Sequence, residues 1–174
     1  GAATINVTGS GSRLIAEFTD LAYDVTSTIN ITEGAYARFY SIHMGKVFGG
    51  RGILNIDGAD STVDVYYLGI GMNGTGELNI TNGGRLTTTS MQTHLGHSAS
   101  LYEHGTGNVL VSGTGSNWEA RNDLYVGYYG TGNLTVENGG NVSTSGNLYL
   151  GYHEPAGMVF VDSKGTVTIT GDQS

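Results

Sequence analysis

The chain repeats itself, and the repeat decides most of what it can fold into. The segments TINVTGSGS, TINITEGAY, ILNIDGADS, ELNITNGGR, NVLVSGTGS, NLTVENGGN and MVFVDSKGT align without gaps. Their second apolar anchors are Val7, Ile31, Ile56, Ile80, Val111, Val136 and Val161, at intervals of 24, 25, 24, 31, 25 and 25 residues. Each unit opens on an apolar–x–apolar pair such as Ile5/Val7 or Leu134/Val136, the period-two signature of a half-buried strand. A turn of small residues follows, as at Asn82–Gly84 or Asn138–Gly140. One apolar residue then recurs (Leu14, Phe39, Val63, Leu86, Trp118, Val142), and a second short strand closes on a hydrophobe–Gly pair: Met44-Gly45, Leu68-Gly69, Leu95-Gly96, Val126-Gly127 and Leu150-Gly151. The first unit carries Leu21-Ala22 there.

About 25 residues holding two or three short strands cannot bury their own apolar face. Stacking identical units solves this, because like residues then form columns through a narrow core. No unit contains a helical apolar period long enough for a βαβ crossover. The expected fold is all-β: a right-handed parallel β-helix of about seven coils, the hand following the crossover rule. The coils fall near 4–27, 28–52, 53–76, 77–107 with an inserted loop, 108–132, 133–157 and 158–174. Between the anchors lie Asn6, Asn30, Asn55 and Asn79, which stacked side by side form an amide ladder; Leu110, Thr135 and Phe160 continue that column.

Composition excludes several partners. Net charge is −8, and the seven Lys and Arg are scattered. Nucleic acid, which needs clustered cations, is not expected. No apolar stretch approaches a membrane helix, so membrane insertion by such a helix is not expected. There is no cysteine, hence no disulfide and no Cys-based zinc site.

The strings GTGELNITNGG, GTGNVLVSGTGSNW, DLYVGYYGTGNLTVENGGNV and NLYLGY resemble the repeats of bacterial autotransporter (type V secretion) passenger domains, with their alternating "NGG" and "GxGSxW" turns. The resemblance covers essentially the whole chain and is clearest from Gly74 to Gly157. It implies a segment of a longer passenger, secreted or displayed on the outer membrane of a Gram-negative bacterium, exported through a C-terminal barrel and often adhesive in virulence. It implies as partner a host-cell surface protein or glycan.

For contact, the candidate surface is an aromatic and histidine stripe. His43, Tyr67, His94, Tyr125 and Tyr149 are expected in one outward column; His97, Tyr128 and Tyr152 in a second; Tyr129 and His153 follow. Aromatic side chains on a rigid face supply large contact area at low entropic cost. The same pattern also serves as cross-strand stacking that only stabilises the sheet. The insertion HSASLYEH (97–104), with Tyr102 and His104, is the second candidate, since loops on repeat scaffolds often carry binding. His94, His97, Glu103 and His104 match no established zinc spacing, so neither a metal nor another cofactor is expected.

Enzyme activity is not expected. The carboxylates Asp57, Asp60 and Asp64 lie in a turn and the strand after it, and Arg121 beside Glu119 and Asp123 reads as a surface ion pair. The alternatives kept open are a structural spacer presenting another module and a polysaccharide-active β-helix enzyme. The end strands carry unpaired edges, so self-association is a further possibility.

Overall fold

The computed structural model describes residues 1–90, 92–97, 104–152 and 163–171. The described residues contain strands and no helix. Turn one holds β1 (Ala3–Thr8) and β2 (Arg13–Leu21), turn two β3 (Thr26–Thr32) and β4 (Tyr36–Met44), turn three β5 (Arg51–Asp57) and β6 (Thr62–Ile70). Turn four splits its second side into β8 (Arg85–Thr88) and β9 (Gln92–His97) after β7 (Thr75–Thr81). Turn five repeats this with β10 (Thr106–Ser112), β11 (Asn117–Ala120) and β12 (Asp123–Tyr128), and turn six with β13 (Thr131–Glu137), β14 (Asn141–Thr144) and β15 (Leu148–Tyr152). β16 (Lys164–Thr170) begins a seventh. The described strands thus stack as a parallel β-solenoid of six turns and the first strand of a seventh, in keeping with the expected stack of about seven coils.

One sheet runs β1-β3-β5-β7-β10-β13-β16, and a second stacks the remaining strands against it. Every paired strand in both is parallel to its neighbour. The register matches the repeat residue for residue through six strands: Ile5 on Ile29, Leu54, Leu78, Val109 and Leu134. The seventh differs. Val167 and Ile169 sit on Leu134 and Val136, in the places expected of Val159 and Val161. Thr168, not Phe160, therefore follows Thr135. Val159, Phe160 and Val161 lie outside the described residues.

The inward columns from both sheets meet in one core that includes Ile29, Ile31, Leu54, Ile56, Leu78, Ile80, Leu68, Ile70 and Trp118, all fully buried. Each such aliphatic side chain contributes roughly 1.5–3 kcal/mol by leaving water. Between turns, Asn30 donates to Asn6 (2.7 Å), Asn55 to Asn30 (2.7 Å) and Asn79 to Asn55 (2.9 Å). A hydrogen bond of this kind nets about 1 kcal/mol. The columns therefore hold the stack together, and the ladder selects the register, since a slip breaks all three bonds at once.

Two columns of the second sheet are shifted from expectation. Leu14 pairs with Ala37 and not with Phe39, which lies opposite Ala16 and Val65. In β6 the closing pair is Ile70-Gly71, aligned with Met44-Gly45, so Leu68-Gly69 stands one pair too early. Gly71 adopts a φ of 70°, open to glycine, and an added Cβ there would collide with the Thr106 carbonyl; Gly69 has neither constraint.

Candidate functional site

The stripe forms where the second strands of successive turns end. Its first column reads His43, Gly69, His94, Tyr125, Tyr149. Tyr67 is not in it; it sits two residues earlier, opposite Ser41. The chain of rings is nevertheless unbroken. Gly69 leaves a gap bordered by Met72 and the Tyr67 ring, and Tyr67 reaches across it. Its centroid lies 5.5 Å from His43 and 6.2 Å from His94, with the hydroxyl 3.5 Å from His94 Nδ1. The second column, His97–Tyr128–Tyr152, is as expected, stacked at 5.4 Å and 6.0 Å. The columns interlock through His94 on Tyr128 (4.5 Å) and Tyr125 on Tyr152 (5.3 Å), and Tyr125 stacks on Tyr149 within the first column (4.6 Å). Tyr129 packs edge-on against Tyr128 at 4.6 Å.

The expectation of an open stripe fails at its centre. His94 and Tyr125 are each only 5% exposed, enclosed by the rings around them. His43, Tyr67, His97, Tyr128, Tyr129, Tyr149 and Tyr152 are half-buried. His104 is exposed, while Tyr102 and His153 lie outside the described residues. Among the described residues no three His, Asp or Glu side chains converge as metal ligands.

Burial sets the electrostatics. His94 Nε2 and His97 Nδ1 are buried without a hydrogen-bond partner among the described residues. Burial first, and the neighbouring His97 second, push the His94 pKa down to about 4. Burial and His43 likewise lower that of His97, and burial raises that of the Tyr67 hydroxyl. At the rim, Asp20 accepts from Lys46 Nζ (2.6 Å) and bonds His43 Nδ1 (2.9 Å). Partial burial alone would raise the Asp20 pKa, but the hydrogen bonds from Lys46 and His43 outweigh it and hold the carboxyl below its ordinary value.

The His94 shift has a measurable consequence. The folded state prefers the neutral ring, so the unfolded chain binds the proton more readily. Stability is complete above pH 6.5 and is lost as pH falls from there toward about 4. The loss approaches about 3 kcal/mol. Urea melts at a series of pH values should show it, and His94→Gln should flatten that slope; an unchanged slope would remove His94 from the account.

Three carboxylates of the two clusters, Asp57, Asp64 and Glu119, are engaged in structure. Asp57 accepts from Thr81 Oγ1 and Asn82 Nδ2, and Asp64 from the Tyr36 hydroxyl. Arg121 lies bidentate on Glu119, exposed (3.0 and 3.3 Å).

A second aromatic group escaped the repeat reading. Phe18, Tyr40 and Tyr66 are 73%, 48% and 44% exposed on the outer face of β2, β4 and β6. Phe18 meets Tyr40 edge-on at 5.6 Å, and Tyr40 stacks on Tyr66 at 4.9 Å with 16° between the planes. The signal was the spacing of Tyr40 and Tyr66, one repeat apart. They border a groove of about 320 Å³ with Ile15, Glu17, Arg38 and Asp64.

No family model matches this chain, and no solved structure matches it. It is similar to the uncharacterized lipoprotein YdeK of Escherichia coli K12, 40% identical over 97 residues, covering 55% of this chain and 7% of that protein. It is 33% identical over 128 residues to the uncharacterized protein YuaQ of the same strain, covering 66% of this chain and 9% of the other. It is 32% identical over 108 residues to the adhesin BmaC autotransporter of Brucella suis, covering 56% of this chain and 3% of the adhesin. The chain thus spans less than a tenth of the length of these relatives.

Proposed function

We propose that this chain is a non-enzymatic segment of a longer, surface-displayed bacterial passenger of the adhesin type, which contacts a host or neighbouring cell. The observation that carries the reading is the similarity to an autotransporter adhesin over more than half of a chain that folds as a parallel β-solenoid. A rigid parallel stack presents side chains at fixed intervals with little ordering cost on binding. The hydrogen bonds of Asp57 and Asp64 and the Glu119–Arg121 ion pair give these carboxylates structural partners, which supports a binding role over catalysis. The name of the lipoprotein relative also supports a place at the cell envelope.

Within the stripe, the half-buried end at Tyr149 and Tyr152 is the part offered for contact, with the exposed His104 beside the inserted loop. The partner is a surface protein or glycan. Tyr149→Ser with Tyr152→Ser, made in the displayed full-length protein, should cut cell attachment at least tenfold while the melting temperature changes little. Equal loss of fold and attachment would assign the stripe to stability alone. The burial of His94 and Tyr125 favours a second reading, a spacer that holds another module. A spacer tolerates excision of residues 108–132, one whole repeat, with attachment intact; an adhesive stripe does not.

A further inference from the structure

We infer that Tyr67 is an acid-operated hatch: protonation of the enclosed His94 drives the Tyr67 ring aside and opens the second sheet between turns three and four. The inference goes beyond the adhesin reading and does not rest on it.

His94 occupies a place that suits only a neutral ring. It is 5% exposed, and its Nε2 has no partner among the described residues. The other nitrogen, Nδ1, lies 3.5 Å from the Tyr67 hydroxyl, at the limit of a hydrogen bond. Protonation therefore puts a charged N–H at Nε2 where neither water nor an acceptor meets it, which is costly. The groups facing the ring bring no anion to offset that cost. They are Tyr67 of β6, His97 of β9, and Tyr125 and Tyr128 of β12. His43 of β4 faces Tyr67, and its own carboxylate partner, Asp20 of β2, is shared with Lys46. The Tyr128 face stacked on His94 attracts a cation, but less strongly than the water given up. A protonated ring must reach solvent.

The two sides of the ring are held unequally. Toward β12, the strands stay in register from Asp123 to Tyr128, and Tyr125 is clamped by Tyr149 and Tyr152 at 4.6 and 5.3 Å. Toward β6, the register pairs are Gly69 on His94 and Ile70 on Leu95, followed by the His97 N–H on the Gly71 carbonyl at 2.9 Å. Gly69 sets no side chain beside His94. The space is bordered instead by the Tyr67 ring and the flexible thioether of Met72. Tyr67 is also the most distant of the four rings around His94, at 6.2 Å between centroids. Turning that one ring outward admits water to the imidazole and leaves the β9–β12 pairing intact.

Two measurements test the hatch. The His94 ring protons, followed by NMR through a pH titration, should report a midpoint of about 4. Tyr67→Ala should return that midpoint toward 6.5, the ordinary value, whereas Tyr67→Phe, which keeps the ring, should leave it low. Amide exchange, corrected for its intrinsic pH dependence, should accelerate roughly 25-fold in β6 and β9 between about pH 7.5 and about pH 5, the factor set by a pKa lowered from 6.5 to about 4. Exchange in β1 and β3 should hold steady, and His94→Gln should abolish the acceleration. A midpoint near 6.5 in the unaltered chain, or one that Tyr67→Ala does not move, would overturn the proposal. So would acceleration spread evenly along the chain, or acceleration that persists in His94→Gln.

Discussion

Gly71→Ala is expected to destabilise the chain by more than about 4 kcal/mol, the range reserved for a named structural conflict. Two penalties combine. The residue sits at φ 70°, where a Cβ costs about 1–2 kcal/mol. That Cβ would also overlap the Thr106 carbonyl carbon and oxygen at the start of β10, backbone atoms that cannot swing aside. Ala22, at the same place in turn one with φ 66°, indicates that the first penalty is survivable by itself. The control is Gly49→Ala. Gly49 has a φ of 80° and open space around its missing side chain, so it incurs the first penalty only. Urea midpoints compare the two directly, and equal costs would refute the close-approach argument.

Trp118→Ala should cost about 3–5 kcal/mol, as truncation of a large buried aromatic does. Trp118 is fully buried between Leu86 and Val142, and its indole N–H reaches Thr88 Oγ1 at 3.4 Å. Neighbouring strands cannot close the void without breaking their own register. Trp118→Leu, which reproduces Leu86 of the turn before, should cost less than half as much. In a stack where each repeat touches mainly its neighbours, the damage stays local. Amide exchange should rise in β8, β11 and β14 and remain unchanged in β1 and β3. A uniform rise along the chain would mean that the solenoid unfolds as one unit.

The repeat made the architecture legible because a parallel stack places like residues on like residues, so alignment and contact become the same information. That equivalence fails where the interval changes. Leu134 to Val167 is longer than the repeat, and the apolar run Val159–Val161 presented a better-matched decoy at the regular distance. In β6, Leu68-Gly69 and Ile70-Gly71 offered the same signature two residues apart. Only the crowding of Gly71 against Thr106, invisible in the chain's own letters, separates them. Alternation identified which residues leave the core, but not how deeply their neighbours would cover them. His94 does point away from the core; the rings of Tyr67, Tyr125 and Tyr128 then enclose it. Tyr40 and Tyr66 are each the fifth of nine residues in their strands, away from the hydrophobe–Gly corners that mark the repeat.

The Asn ladder has a mechanical corollary. Its amides bridge Asn6 to Asn79 and stop there, where Leu110 takes the next step. A rod pulled by its two ends carries the same tension through every inter-turn contact, so the least cross-linked contact yields first. Under an optical trap the molecule should lengthen in discrete steps of one turn, and the junctions beyond the fourth turn, where Leu110, Thr135 and Thr168 replace asparagine in this column, should open before the laddered ones.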